Sequence, residues 1–290
     1  MWFFKDKDIP VVRRNFDIQY FKDLHAQREF VQNGFVVIPK LISDEEVEEI
    51  SVFFQSLKKL PSYQVNTSFE SSGNFLCKTT QAKIFEFVEQ FMYKIADRFV
   101  LLENCDIGDG GTFFIKPPSK ASILHPHQDS TVIDEEKSYG VFVWLPLCDI
   151  NEKNGALNVI PKSHLWGNVH RSQHIPWAFR KHHKLLWQFM HPIYVQKGDA
   201  ICFDTSIIHA SGINTTNEER IAMCGAIFEK NHKKVEYLQQ NKKLQKFLVN
   251  KDYWLDGGQS KNLSNYPSEN VVDTFPNPVS KNQVKKLLNL

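Results

Sequence analysis

The sequence predicts a mainly β protein, a barrel or two-sheet jelly roll with helices ahead of it. Two features carry that expectation. From Leu101 the chain alternates six or more short β-type runs with polar turns over roughly 130 residues, the rhythm of a closed or double-sheet architecture. Before Leu101, apolar residues instead recur at helical spacing, as in Val47, Ile50, Phe54 and Leu57 and in Ile84, Phe87, Phe91, Ile95 and Phe99.

Taken in order, residues 1–27 are mixed and aromatic, with a helix expected around Tyr20 to Glu29. Gly34 breaks into Phe35-Val36-Val37-Ile38-Pro39, a short buried strand stopped by proline. Ser43 opens a helix, because Glu46 three residues on completes a capping box. A second helix is expected over Gln81 to Phe99. The β-type runs follow: Gly111 to Ile115, Tyr139 to Leu145, Ala156 to Pro161, Ile193 to Val195, Ala200 to Phe203 and Arg220 to Phe228. Residues 164–191 interrupt them with His164, five further histidines and Trp166, Trp177 and Trp187; a connection of that length reads equally as a lid or as a surface excursion with a helix near Trp177 to Phe189. From Lys230 a lysine-rich helix is expected to about Val249. The tail beyond Gly257 is rich in Ser, Asn and Pro, with one short helix over Lys281 to Leu288.

Composition bounds the function. With 42% apolar and 23% charged residues, the chain can bury a substantial core as one large domain or two small ones. A net charge of +2 makes no case for a nucleic-acid partner. The charge is uneven, since residues 230–290 hold 11 lysines against 5 acidic residues. Such a segment could face phosphates, as could Arg171, Arg180, Lys181 and Lys184, although solvated charge is the commoner reason for such runs. Five cysteines, odd in number and without a Cys-x-x-Cys pair, indicate neither a disulfide framework nor a zinc knuckle. The Met1-Trp2-Phe3-Phe4 start is too short for a signal peptide, and no run approaches the roughly 20 apolar residues of a membrane span. A reducing cytoplasm is the expected compartment.

The chemistry centres on Leu124-His125-Pro126-His127-Gln128-Asp129-Ser130. On an extended strand His127 and Asp129 share a side and can grip one metal ion from one edge. His125 shares that side as well, as a supporting donor or a competing register. The best third ligand is His209, which ends the run beginning Gly198-Asp199-Ala200. Two histidines and one carboxylate on one face of an octahedral ion leave three positions open, which suits non-haem Fe(II); a structural zinc site would close its shell with a fourth protein ligand. Eleven residues beyond His209 stands Arg220, on a strand where Ala222, Cys224 and Ala226 share its face, describing a cavity wall that ends in a cation. The planar fork of arginine matches a carboxylate, and Ser211 can add a hydroxyl. A metal with a distant carboxylate anchor fits 2-oxoglutarate.

These residues resemble the phytanoyl-CoA dioxygenase family of Fe(II)/2-oxoglutarate oxygenases, through His-x-Asp, Gly-Asp-Ala-x-x-Phe, His-x-Ser and Arg in that order. Asn154-Gly155-Ala156-Leu157-Asn158-Val159-Ile160-Pro161-Lys162-Ser163-His164 is similar to the family's Asn-Gly-x-Leu-x-x-Ile-Pro-Gly-Ser-His stretch, with Lys162 in place of the usual glycine. The stretch from Asn33 to Val47 also looks like the family, and the resemblance covers roughly residues 30–230. It implies a double-stranded β-helix (jelly-roll, cupin-like) core flanked by N-terminal helices, and leaves the first 25 and last 60 residues unexplained. The whole chain, 1–290, is expected to be one oxygenase domain, with the helical flank at 28–100 and that core at 101–230. Residues 164–191 would be an insertion, and 231–290 a basic helical extension. The same resemblance implies that His127, Asp129 and His209 hold Fe(II), and that Arg220 and Ser211 hold 2-oxoglutarate. Oxygen would be consumed, with hydroxylation of an unactivated C–H bond in a small molecule or acyl-thioester or amino-acid-type metabolite and release of succinate and CO2. In related halogenases a small residue stands at the aspartate position, so Asp129 favours hydroxylation. Lys116 and Trp144 fall near the pocket mouth by the resemblance. Together with Gln128, Trp166 and Trp177 they are candidate substrate residues, weighed against core packing and a solvated Lys116. The other readings are a non-catalytic cupin-like metal-binding or sensor protein and an oxygenase acting on a peptide or protein.

Overall fold

The structure, a computed structural model, describes residues 18–61, 63, 66–75, 77–240, 243–271 and 274–290. The aromatic start at Met1 to Phe4 lies outside the described residues. The flank comprises α1 (Leu24–Asn33), β1 (Phe35–Ile38), α2 (Asp44–Lys58), β2 (Glu70–Ser71), α3 (Ser72–Phe75) and α4 (Lys78–Ala96). Next come β3 (Cys105–Lys116), β4 (Leu124–His127), β5 (Gly140–Pro146) and β6 (Leu157–Val159). After the insertion with α5 (His183–Trp187), the core is completed by β7 (His191–Ile193), β8 (Ala200–Asp204), β9 (His209–Ser211) and β10 (Arg220–Glu229). The extension adds β11 (Val235–Gln240), β12 (Lys243–Leu248), α6 (Lys251–Leu255), β13 (Ser268–Val271) and α7 (Lys281–Leu287).

Two antiparallel sheets form the expected jelly roll. One has the order β1-β8-β5-β10-β3-β2 and the other β4-β9-β6-β7. The faces of β10 divide as period-two alternation requires. Ala222 and Cys224 join Trp144, Leu157, Ile201 and Phe203 in the apolar layer between the sheets. Ile221, Met223 and Ile227 turn to the opposite face, where Ile50 and Phe54 of α2 and Ile84, Val88 and Ile95 of α4 cover them. The helices thus close the outer face of the six-stranded sheet and leave its inner face to the site.

Local signals set the helix ends. Asp23 caps α1, accepting from the His25 N–H at 2.7 Å, so that helix starts later than expected and runs to Gly34, whose φ of 82° ends it. Ser43 and Glu46 form the expected capping box of α2. The helix expected over Gln81 to Phe99 runs from Lys78 to Ala96. In the insertion, the helix expected over Trp177 to Phe189 shortens to the single turn of α5.

The extension overturns one expectation. Instead of a helix from Lys230 to Val249, β11 and β12 pair antiparallel and β13 adds to β12. Val235 and Tyr237, two apart, are both buried with Leu244 and Ile175. Burial of that alternating pair outweighs the modest helix preference of the intervening lysines and glutamines. Three lysines of the extension are engaged by the protein's own acids. Lys246 is buried against Asp134 at 3.1 Å and Glu269 at 2.6 Å, Lys251 meets Glu89 at 2.7 Å, and Lys234 pairs with Asp109.

Lys162 stands at φ 68°, left-handed backbone that glycine adopts without penalty, and its N–H donates to the Asn33 carbonyl at 2.9 Å. Replacing it with glycine removes a Cβ conflict of about 1–2 kcal/mol, partly offset by glycine's greater chain entropy. Lys162→Gly should therefore raise the free energy of urea unfolding by roughly 0.5–1 kcal/mol; an unchanged or lowered value would contradict the strain.

Candidate active site

The site begins with a strand register. Leu124 of β4 lies opposite Ser211 of β9, yet His127, not Pro126, lies opposite His209. One extra residue is accommodated by a bulge, which suits a segment holding Pro126, a residue with no N–H to offer a ladder. The bulge changes which side chains share a face. Leu124 and His127, three apart, both line the cavity between the sheets, while His125 is exposed with its ring near His183, at a centroid distance of 5.8 Å. The expectation that His125 shares the inward face is thereby corrected.

His127, Asp129 and His209 converge. One ligand atom from each lies within 4.8 Å of the others. His127 Nε2 is 3.4 Å from Asp129 Oδ1, and His209 Nε2 is 3.7 Å from Asp129 Oδ2. Behind the rings, His127 Nδ1 donates to the His125 carbonyl at 2.8 Å and His209 Nδ1 to the Ile207 carbonyl at 3.1 Å. Protons held on Nδ1 leave both Nε2 lone pairs aimed at the carboxylate, the tautomer that metal ligation needs. Burial, reinforced by repulsion from His127, pushes His209 down to about 4, so it is neutral near pH 7. Burial alone would raise the Asp129 carboxyl, but the neighbouring imidazoles of His209 and His127 hold it well below the usual carboxylate range. One anion faces two imidazoles in a confined space: burial opposes charge on His127, but the hydrogen bond and charge of Asp129 prevail and raise its pKa, so the carboxylate draws positive charge to this point, a place that a divalent cation can take.

A cavity of about 400 Å³ extends from these three residues to Ser211 and Arg220. Arg220 is 3% exposed, and burial lowers its pKa to about 10. Its guanidinium carbon lies 5.1 Å from the centre of the Trp144 ring, a cation–π stack that fixes the plane of the fork. Arg220 Nε and Ser211 Oγ are both buried without a hydrogen-bonding partner. Orphaned buried donors are costly, and two lining one cavity fit an anionic ligand. The residues present therefore suit both a divalent metal and the far carboxylate of a 2-oxo dicarboxylate.

The other candidates divide. Trp144 lines the cavity and also packs in the layer between the sheets. Lys116, expected to be solvated or at the pocket mouth, is fully buried beside Arg220, and its Nζ donates to the carbonyls of Ser122 at 2.5 Å and Gly212 at 2.7 Å. Burial first, then the Arg220 charge, lowers its pKa to about 6, so it is largely neutral at pH 7. Gly155, at φ 75°, lets the chain pass this lysine; a Cβ there would fall 2.4 Å from Lys116 Cδ. Gln128 does not face the cavity. Its amide donates to the Ser206 carbonyl and accepts from Asn168 at 2.8 Å and from Trp177 Nε1 at 3.2 Å, because the bulged strand turns it toward the insertion. Trp166 and Trp177 likewise pack with Phe179 in the insertion's own apolar cluster, away from the cavity wall. His164 lies against Gly34 and bonds the Val31 carbonyl through Nε2 at 3.1 Å, joining the insertion to the flank.

Sequence reasoning missed the support behind Asp129. Arg171, considered above as a phosphate contact, is buried and makes a bidentate pair with Glu135 at 2.7 and 2.8 Å. It also donates from Nε to the Asp129 carbonyl at 2.8 Å and from a terminal nitrogen to the Thr205 carbonyl at 3.1 Å. No local pattern marks this pair, since Glu135 sits in an acidic Asp-Glu-Glu run that reads as a solvated turn.

Comparison with known proteins accords with this geometry. Rat peroxisomal phytanoyl-CoA dioxygenase is 28% identical over 234 residues, 69% of this chain and 66% of that protein. The mouse protein of the same name is 26% identical over 227 residues, with the same coverage. The match thus spans about two thirds of the length of these curated relatives. EvdO2 from Micromonospora carbonacea var. aurantiaca superposes with a TM-score of 0.53 at 20% identity, covering 71% of this chain and 91% of that one. The 2-oxoglutarate-dependent carbocyclase SnoK of nogalamycin biosynthesis gives 0.54 at 17%, covering 73% and 86%. HygX from Streptomyces hygroscopicus, solved with nickel and 2-oxoglutarate, gives 0.52 at 15%, covering 72% and 88%. At such identities the structural likeness is one of fold. Among the described residues no helix is long and apolar enough to cross a membrane. The profile of the phytanoyl-CoA dioxygenase (PhyH) family matches residues 30–222, and the chain belongs to that family.

Proposed function

We propose that this protein is an Fe(II)- and 2-oxoglutarate-dependent oxygenase that hydroxylates an unactivated C–H bond of a small molecule or acyl- or amino-acid-type metabolite. The observation that carries the reading is the pairing, in one cavity, of a two-histidine, one-carboxylate cluster with the unpartnered donors of Arg220 and Ser211. Iron with 2-oxoglutarate supplies, when bound, the coupling of O2 reduction to decarboxylation, giving succinate, CO2 and one oxygen atom for the substrate.

The chain's own contribution is placement and exclusion of water. His127, Asp129 and His209 hold the metal from one side, their rings oriented by the carbonyls of His125 and Ile207. Arg220 and Ser211 hold the far carboxylate, and Trp144 keeps the guanidinium plane fixed before the ligand arrives. Arg171 acts as a positioning residue, tying the backbone at Asp129 to Glu135 and to Thr205 beyond β8. A cavity between two sheets favours a small molecule over a folded protein surface, which weighs against the peptide reading. The cytoplasm is the compartment this reading takes, supported by cysteines that are all free.

Three measurements test the proposal. Wild-type protein reconstituted anaerobically with Fe(II) should release succinate from 2-oxoglutarate once O2 is admitted, and His127→Ala should abolish it; full turnover by that variant, or none by the wild type with iron and O2 present, would favour a non-catalytic metal-binding protein. Arg220→Ala should raise the KM for 2-oxoglutarate about 10- to 100-fold, the loss of one charge-assisted carboxylate contact, with a smaller change in kcat. Arg171→Met leaves Glu135 buried without its cation and should lower stability to urea by roughly 3–5 kcal/mol. Adding Glu135→Leu should recover part of that loss, whereas additive losses would argue against a coupled pair.

A further inference from the structure

Lys116 is fully buried on β3, directly opposite Arg220 of β10. Residues facing each other across an antiparallel pair project from one face of the sheet, with Cβ atoms about 4.5–5.5 Å apart. Two basic side chains are thus held side by side away from water. Among the described residues neither is paired with an acid. Glu70 of β2 lies opposite Ile115 and so shares the other face of β3. Glu218 and Lys120 are exposed, and Glu219 is paired with Lys58 at 2.5 Å. Burial outweighs the pull of Arg220 on the Cys148 thiol, which stays neutral.

Like charges directly opposite oppose one another, and arginine keeps its proton near pH 7. The lysine therefore yields, in line with the burial and the Arg220 charge that together bring it down to about 6. The surroundings of Nζ serve either form. The two N–H groups of an amine match the carbonyls of Ser122 and Gly212. For an ammonium, the Phe69 ring is within cation–π range, its centre 5.4 Å from Nζ.

The same two carbonyls set Lys116 behind the carboxylate donors. Gly212 follows Ser211, and Ser122 leads into β4, where Leu124 lies opposite Ser211. Asn214 closes the frame, its amide donating to the Lys116 carbonyl at 3.0 Å and its backbone N–H to Ser122 Oγ at 3.0 Å. Arg220, Ser211 and Phe69 line the site cavity, so Lys116 acts on a ligand there through them.

We infer that Lys116 is a proton-coupled positioning residue: a carboxylate arriving at Arg220 and Ser211 supplies the missing negative charge, and the lysine amine takes up one proton from solvent to become an ammonium. Ligand and proton then bind together. The inference rests on the proposed reading of Arg220 and Ser211 as the anchor for the far carboxylate of 2-oxoglutarate. By linkage, affinity for that ligand falls as pH rises above the free lysine's range, by up to about tenfold per unit.

Calorimetric titration of 2-oxoglutarate into the Fe(II)-loaded protein without O2, repeated in buffers of different ionisation enthalpy, counts the protons. Near pH 7 the wild type should take up about one proton per ligand. The ligand 2-oxopentanoate keeps the oxo-acid end but has a methyl group in place of the far carboxylate, and it should bind without that uptake. Lys116→Met, or Lys116→Gln if the first does not fold, should bind 2-oxoglutarate without it as well. A purely structural lysine would leave the proton count unmoved. The inference is overturned by a wild-type uptake indistinguishable from zero, a result that needs no variant, or by equal uptake in a folded variant or with 2-oxopentanoate. Failure of 2-oxoglutarate to bind at all defeats the oxygenase reading, whereas binding without proton uptake defeats only the role of Lys116.

Discussion

The pairing of β4 with β9 is the constraint on which the site depends. A ladder continued regularly from Leu124 opposite Ser211 would bring Pro126 opposite His209. A one-residue slip in a strand turns every later side chain to the other face. The bulge around His125-Pro126 supplies that slip once, and His127 arrives beside His209 with its Nε2 toward Asp129. The hydrogen bonds that complete the geometry are then short-range: each histidine uses the carbonyl two residues before it to hold its Nδ1 proton. Chain geometry and tautomer are set together.

Around this pairing the protein separates its buried polar groups by purpose. Arg171 and Glu135 satisfy one another behind Asp129, and Lys246 pairs with one carboxylate oxygen of Asp134 and with Glu269 farther out. Such pairs stiffen the frame, since either partner alone would be an uncompensated buried charge. Arg220 is the contrast. Buried, stacked on Trp144 and with no acid paired to it among the described residues, it carries a desolvation cost that an incoming carboxylate would offset. The difference between paired and unpaired cations marks the anion end of the cavity.

The insertion and the extension matter to the site as supports. Residues between β6 and β7 supply Arg171, Asn168 and Trp177, which fasten the segment after β4 that carries Asp129 through the Asp129 carbonyl and the Gln128 amide. The extension folds as a β hairpin over the insertion, with Val235 and Tyr237 against Ile175. Lys234, just before β11, and Lys246 of β12, which look like part of a basic patch along the sequence, pair instead with Asp109 and with Asp134 and Glu269.

Much was legible in the residues alone. Short strands with polar turns, the capping box of Ser43 and Glu46, and the alternation along Arg220, Ala222, Cys224 and Ala226 depend on local spacing, which sequence records directly. So does the set His127, Asp129, His209 and Arg220, because ligand chemistry restricts residue type and their order along the chain is visible. What the tertiary structure alone decided are relations between distant segments. Whether His125 or His127 turns inward depends on a bulge defined only against β9. The placement of Gln128, Trp166 and Trp177 in the insertion's packing, the burial of Lys116 and the Arg171–Glu135 pair all require partners tens of residues away. The hairpin formed where a lysine-rich helix was expected has the same cause: local preference differs by tenths of a kcal/mol per residue, and burying Val235 and Tyr237 outweighs it by roughly 1.5–3 kcal/mol per large side chain.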